Sequence, residues 1–350
     1  MDQRRNISSV SALSILSISL NTLSISATVM IPDVAPTDID RVFDYFGPTP
    51  RLCIDFLSDQ ERLTEHKDDV QSTISRLTAI GIEQMLNEAS GLTLDSFSHK
   101  ICLVRRKTIQ KAHSGTVIVP ITPFIKSRLA SQFRKSDRAD QIHLYKYFAR
   151  VANTRQAAGF LFEALAQQVL EQGRDLELLP MVHLDKEEEG STSLPQWHSS
   201  HSALPNTTLE DLRRKTLKKR LHVRIQPSCT FEYPCTGPSS IKPNVSYVPE
   251  ISNEAAMDSF IVLDSFLYIF QFTIAAKHDI KPGLINFFEK CRDVPCREAW
   301  RFVFVIPPDQ VLTCPQPRSL KLRELLPYTT IIDLSMEDDF GSFGNIFTQT

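Results

Sequence analysis

The sequence predicts an α/β chain of the α+β kind, with a mainly helical N-terminal half followed by a mixed sheet flanked by helices. Apolar residues recur three or four apart through the first half, the spacing of amphipathic helices. From about residue 220 the texture changes to β-branched and aromatic runs bounded by Pro, Asn or Asp. A single helical stretch interrupts those runs. The 350 residues allow two or three domains. With 42% apolar and 23% charged residues, the composition excludes wholesale disorder.

Residues 1–37 read as a poorly ordered low-complexity leader. No charged side chain occurs from Asn6 to Pro32, but Ser14, Ser17, Ser19, Ser24 and Ser26 keep interrupting the apolar residues. A spanning helix needs about 20 predominantly apolar residues, and a secretory core needs an unbroken apolar run of about 7–15. A signal peptide is therefore the second reading, and no membrane partner is expected. Residues 38–150 form the helical region. Val70, Ile74 and Leu77, then Ile82, Met85 and Leu86, mark one apolar stripe, and Gly47-Pro48-Thr49-Pro50 breaks the chain. A short β-rich run, Thr116 to Ile121, precedes a basic helical stretch.

A third region spans 151–334. Its opening helix, Arg155 to Glu171, aligns Ala157, Phe160, Leu161, Leu165 and Val169 on one face. Residues 185–210, acidic and then rich in Ser, His and Pro, read as a disordered insertion. Strands follow at His222–Ile225, Ser246–Val248, Phe260–Leu263, Phe266–Thr273 and Arg301–Ile306, with a helix at Ile280–Cys291. The tail, 335–350, is acidic and reads as flexible.

Composition removes several functions. Net charge is −2, so the chain is no histone-like electrostatic binder. No G-x-x-x-x-G-K-[ST] loop occurs, and no bound nucleotide is expected. There is no G-x-S-x-G elbow. Seven irregularly spaced cysteines argue for a reducing compartment. Cys229 and Cys235 are spaced wider than zinc-finger pairs, and Cys291 and Cys296, at the wide limit of that spacing, have no matching His pair nearby. Trp197-His198-Ser-Ser-His201 reads as incidental within the polar insertion.

One constellation could carry chemistry. Asp258 opens a strand, Asp264-Ser265 makes a tight turn, and Gln271 and Thr273 lie near the end of the returning strand. Side chains two apart share a face, and a hairpin would bring Asp258 alongside Gln271 and Thr273. Glu163, on the polar edge of the preceding helix, could close the group. Mg²⁺ takes oxygen ligands and usually only one or two carboxylates. Glu163, Asp258 and Gln271 are the candidate ligands for a metal-dependent phosphodiesterase. The default alternatives are a strand-start aspartate, an amide satisfied by backbone and a solvated glutamate.

The stretch from Asp258 to Thr273, followed by Lys277-His278 and by Trp300-Arg-Phe-Val-Phe-Val-Ile-Pro307, resembles the C-terminal region of Crinkler and retrotransposon-hot-spot type proteins. Those families carry a nuclease-like domain of the restriction-endonuclease-like (PD-(D/E)xK) superfamily beside an AAA/STAND-like NTPase. Phe46-Gly-Pro-Thr-Pro-Arg51 is similar to the segment that closes the NTPase module. The resemblance spans roughly residues 40–330. It implies a restriction-endonuclease-like domain at 151–334 and a remnant of the NTPase's C-terminal part at 38–150. It also implies Mg²⁺-dependent phosphodiester hydrolysis and effector-like or mobile-element-derived character. Two positions depart from the pattern: Gln271 replaces an acidic ligand and Thr273 the expected lysine. Lys277 is the candidate substitute, while His278 reads as a loop residue.

Arg213, Arg214, Lys215, Lys218, Lys219 and Arg220 make a dense basic run. It reads as a solvated face, a nuclear import signal or a contact for nucleic-acid phosphates. Nuclear or cytoplasmic location is expected, with secretion second. Expected partners are nucleic acid, with proteins through residues 38–150. The alternative function is a non-catalytic interaction protein on the same scaffold.

Overall fold

The computed structural model describes residues 42, 45, 47, 59–87, 101–106, 116–150, 155–184, 196–199, 220–233, 237–249, 257–317 and 319–334. The leader, most of Phe46–Arg51, the basic run from Arg213 to Lys219 and the acidic tail lie outside them. Two compact units divide the chain, Met1–Gln132 and Phe133–Thr350.

The first unit contains helices α1 (Gln60–Ser75) and α2 (Ala79–Asn87), an antiparallel pair β1 (Cys102–Arg106) and β2 (Thr116–Pro120), and helix α3 (Pro123–Phe133), which reaches the division. Asp59 caps α1, its Oδ1 accepting from the amides of Glu61 and Arg62 at 3.1 Å each. The expected stripe is buried at Val70, Ile74, Leu77 and Ile82. Gln132 donates from Nε2 to the carbonyls of Ser75 and Leu77, 3.0 Å each, answering acceptors left open where α1 ends. Strand β1 is not among the expected elements, so this region is less purely helical than its composition suggests.

The second unit begins with α4 (Arg138–Arg150) and α5 (Arg155–Glu171). Helix α4 thus groups with the sheet, although composition assigns it to the preceding helical region. The buried Gln141 amide holds its start, donating to the carbonyls of Phe133, Arg134 and Ser136. Burial on α5 extends well beyond one face, taking in Ala158, Phe162, Ala164, Ala166 and Leu170 as well as Phe160, Leu161, Leu165 and Val169. Gly173, at φ +93°, turns the chain into the sheet.

That sheet has eight strands in the order β6-β3-β13-β11-β10-β9-β8-β7. They are β3 (Arg174–Pro180), β6 (Leu221–Ile225), β7 (Cys229–Tyr233), β8 (Val245–Pro249), β9 (Ser259–Leu263), β10 (Phe266–Phe272), β11 (Trp300–Ile306) and β13 (Pro327–Ile331). The centre is mixed: β9 and β10 are antiparallel, whereas β10, β11 and β13 run parallel. Asp264 and Ser265 join β9 to β10 with φ of +46° and +67°, the paired positive values of a hairpin turn that follows strand twist. Helix α6 (Gly283–Phe288) makes the crossover from β10 to β11 and buries Leu284, Ile285 and Phe288. It is shorter than the expected Ile280–Cys291.

One face of the sheet carries an aromatic core. Phe260, Val262, Leu267, Ile269, Trp300, Phe302, Phe304 and Ile306 alternate along β9, β10 and β11 to meet α6. Phe260 stacks on Tyr247 at 4.8 Å and meets Phe288 edge-on at 5.1 Å. A second sheet, in the order β12-β5-β4, is built from β4 (Val182–Leu184), β5 (Gln196–His198) and β12 (Thr313–Pro315). Strand β5 corrects the expected disorder of 185–210. Trp197 packs against the aromatic core, giving that short segment an apolar anchor inside a polar stretch.

Phe260 meets the rings of Tyr233, Tyr247, Phe287 and Phe288 and is fully buried. Phe260→Ala should lower unfolding free energy by about 3–5 kcal/mol, the cost of lost burial plus a cavity. Urea denaturation followed by tryptophan fluorescence checks this.

Candidate functional site

Strand register builds the site. Phe270 pairs with Ser259 across the hairpin, and the Asp258 amide donates to the Phe270 carbonyl at 2.9 Å. Asp258 therefore stands beside Gln271 just beyond the last hairpin pair. Its Oδ2 accepts from Gln271 Nε2 at 2.6 Å and from the Phe272 amide at 2.7 Å. Both side chains are buried, with 6% and 4% of their surface exposed. A carboxylate taken from water needs such charge-assisted donors, and the pair makes a local polar island at the end of an apolar face.

The island lies at the carboxyl end of the parallel strands, where ligands gather in open α/β sheets. Gln271 follows the alternation of Leu267 and Ile269, and on β11 its register partner is Phe304. Thr273 continues the row. Its amide donates to the Val305 carbonyl at 3.0 Å, and its hydroxyl accepts from the Ala275 amide at 3.0 Å. The hydroxyl thus shapes the turn leaving β10. Ser259, next to Asp258, buries an Oγ that has no partner among the described residues.

Glu163 is half-buried on α5. It lies four residues beyond Gly159, hence on the same helical face, and a Cβ at Gly159 would sit 3.5 Å from Ile274 Cγ1. The helix thus meets the chain one residue after Thr273. Alternation gives Phe270 and Phe272 to the sheet face opposite Gln271. The aromatic core around Gln271 contains no residue of α5. The structure therefore brings Asp258 and Gln271 into direct contact, and it brings Glu163's helix to the strand end.

Lys277 is exposed, and its backbone forms a parallel bridge with Thr313. The bridge fixes it to the second sheet rather than to the row of Gln271. His278 is half-buried, its ring 5.9 Å from Phe304 and its Nδ1 3.1 Å from the Asp279 carbonyl. Burial, the largest cause, holds its pKa below the ordinary 6.5, with Lys281 adding to the effect and Asp279 opposing it. The sequence marks His278 as a loop residue, yet its ring packs over Phe304, the register partner of Gln271. Nothing in the chain's spacing announces that contact. Of the basic run, Arg220 is described: it is exposed and pairs with Glu177 at 3.0 Å.

Among the described residues no cluster of three or more His, Cys, Asp or Glu could hold a metal ion. The Asp258–Gln271 pair is right in kind for a hard cation, offering oxygen ligands, and sparse in charge. No helix among the described residues is long and apolar enough to cross a membrane. No protein-family model, curated protein or solved structure matches the chain.

Two outcomes follow from the geometry. Asp258→Ala strands the buried Gln271 amide and the Phe272 N–H, so it should destabilise by about 1–3 kcal/mol. A double-mutant cycle with Gln271→Leu should give a coupling of about 0.5–3 kcal/mol, read from urea denaturation. The second concerns pH. Because His278's folded pKa is depressed, its contribution is present above 6.5 and is lost as pH falls below that value toward the folded pKa. Unfolding midpoints should drop between pH 7.5 and 5.5, and His278→Gln should flatten that dependence.

Proposed function

We propose that residues 151–334 form a nucleic-acid-directed domain of the restriction-endonuclease-like type, with Asp258 and Gln271 at its centre. The observation that carries this reading is the buried 2.6 Å contact between those side chains at the carboxyl end of the parallel strands. The antiparallel hairpin followed by a helical crossover to a parallel strand supports it, as does the resemblance of Asp258–Thr273 to Crinkler and retrotransposon-hot-spot type proteins. On this reading, residues 38–150 derive from the C-terminal part of an NTPase module and offer a protein-binding region.

The proposed reaction is Mg²⁺-dependent phosphodiester hydrolysis. Asp258 and Glu163 would hold the ion through carboxylate oxygens and Gln271 through its amide oxygen. A cation there neutralises charge on the scissile phosphate and lowers the pKa of an attacking water. The chain's own contribution is positional. The Phe272 amide fixes the Asp258 carboxylate, and Gln271 fills the space beside it without adding a second negative charge. Thr273 brings no positive charge, so a lysine's role would fall to the Lys277 ammonium, reaching back on its long side chain from a backbone held at Thr313. Arg213, Arg214, Lys215, Lys218, Lys219 and Arg220 would add phosphate contacts or direct the protein to the nucleus.

A specific observation favours a second reading, binding without cleavage. Asp258 Oδ2 is already engaged by two protein donors, and threonine stands where the superfamily pattern places lysine. One assay separates the readings: plasmid and single-stranded DNA incubated with Mg²⁺ or Mn²⁺ and either the native protein or Asp258→Asn. Cleavage that falls by about 10²-fold or more in the variant, the scale for losing a group that stabilises transition-state charge, supports the hydrolase. Salt-sensitive binding without cleavage supports the binding protein. Loss of neither and gain of neither, with no binding at all, removes the nucleic-acid reading.

A further inference from the structure

The second sheet holds two polar side chains that the site above does not use. Thr313 on β12 pairs with His198 on β5 along one edge. Along its other edge Thr313 forms a parallel bridge with Lys277. The bridge is complete: the Thr313 amide donates to the Ala276 carbonyl at 2.9 Å, and the His278 amide donates to the Thr313 carbonyl at 3.0 Å. Residues paired laterally in a sheet direct their side chains to the same face. Lys277, Thr313 and His198 therefore form one row, spanning two strand spacings of about 4.8 Å each.

The neighbouring row points the other way. Cys314 belongs to the aromatic core, and its register partner Trp197 packs against that core. The Lys277–Thr313–His198 row thus faces away from it. Lys277 is exposed and His198 is half-buried. Among the described residues, neither the Lys277 ammonium nor the His198 ring has a hydrogen-bond or ion-pair partner. The Thr313 hydroxyl between them is occupied, donating to the Ala276 carbonyl at 3.1 Å. Burial keeps the His198 pKa below its ordinary value, so near neutral pH the ring offers one N–H donor rather than a second positive charge.

We propose that Lys277 and His198 form a two-point grip for the phosphodiester backbone of a nucleic-acid strand leaving the strand end at Thr273. Lys277 supplies the charge and His198 the directed hydrogen bond, with Thr313 holding the two strands at fixed separation. The chain connects this row to the candidate site through only the turn from Thr273 to Lys277. The proposal rests on the nucleic-acid reading above but not on cleavage, since a grip of this kind serves a cutting and a non-cutting domain alike.

The test is fluorescence anisotropy of the full chain with a labelled single-stranded oligonucleotide and its duplex, titrated over a range of salt. The variants are Lys277→Met, His198→Asn, their combination, and Lys290→Met as an exposed control. Lys277→Met should weaken binding several-fold and reduce the salt slope by about one unit, as expected for one lost phosphate contact. His198→Asn should weaken binding with the salt slope nearly unchanged, because it removes a neutral donor. The double variant should lose less than the product of the single effects, since one backbone segment touches both groups. Lys290→Met should bind as the native protein does.

Native-like binding by Lys277→Met and His198→Asn would overturn the grip and leave the nucleic-acid reading standing. Equal losses in Lys277→Met and Lys290→Met would also overturn it, by showing only general electrostatic attraction. If the native protein binds neither oligonucleotide, both the grip and the reading beneath it fail. Circular dichroism of each variant keeps folding defects apart from these outcomes.

Discussion

A carboxylate buried at the end of a β-ladder has to be answered by donors, and the arrangement around Asp258 follows from that demand. Its Oδ2 takes one hydrogen bond from the Gln271 amide and one from the backbone of the adjoining residue. Meeting both requires β9 and β10 to pair in one register. A slip by one residue would place Gln271 on the opposite face and leave the carboxylate facing Phe272. The turn at Asp264-Ser265 sets that register locally, and the aromatic core enforces it across the sheet. Polar and apolar constraints therefore select the same alignment, which is how a sequence narrows to one structure.

The apolar side of the constraint is concentrated in few rings. Phe260 links Tyr247 on β8, Phe288 on α6 and Tyr233 on β7, so one side chain joins the hairpin, the crossover and the far edge of the sheet. Phe304 extends this packing toward the strand ends, with Gln271 as its neighbour on β10 and the His278 ring above it. The polar island is thus bordered by aromatic surface. That border desolvates the groups near it and strengthens their hydrogen bonds.

Much of the second unit was legible because its signals are local. The runs Phe260–Leu263, Phe266–Thr273 and Arg301–Ile306 are strands close to their expected bounds, and Asp264-Ser265 is the turn between two of them. The meeting of Asp258 with Gln271 follows from that hairpin. What was not legible depends on distant partners. Gln196–His198 looks like any polar loop until Trp197 reaches the aromatic core. Cys102–Arg106 lies in a region of helical composition, and its strand character comes from pairing with Thr116–Pro120. Lys277 reads as a flexible side chain, but its bridge to Thr313 fixes where it starts. The same bridge makes His198 and Lys277 neighbours in space, and no spacing rule could reveal that.

The place of β13 has a consequence for how the protein is made. Pro327–Ile331 lies between β11 and β3, so the last described strand occupies an interior position, and among the described residues it is what joins β3 and β6 to the rest of the sheet. During synthesis β3 and β6 leave the ribosome long before the strand that connects them to β11. Until then they are a two-stranded ribbon, marginal on its own in water. Closure must wait for a contact spanning about 150 residues between Leu179 and Thr329, the kind of distant pairing that slows folding. The nascent chain therefore passes through a state with open sheet edges, in which chaperone capture or wrong pairing between neighbouring chains competes with completion.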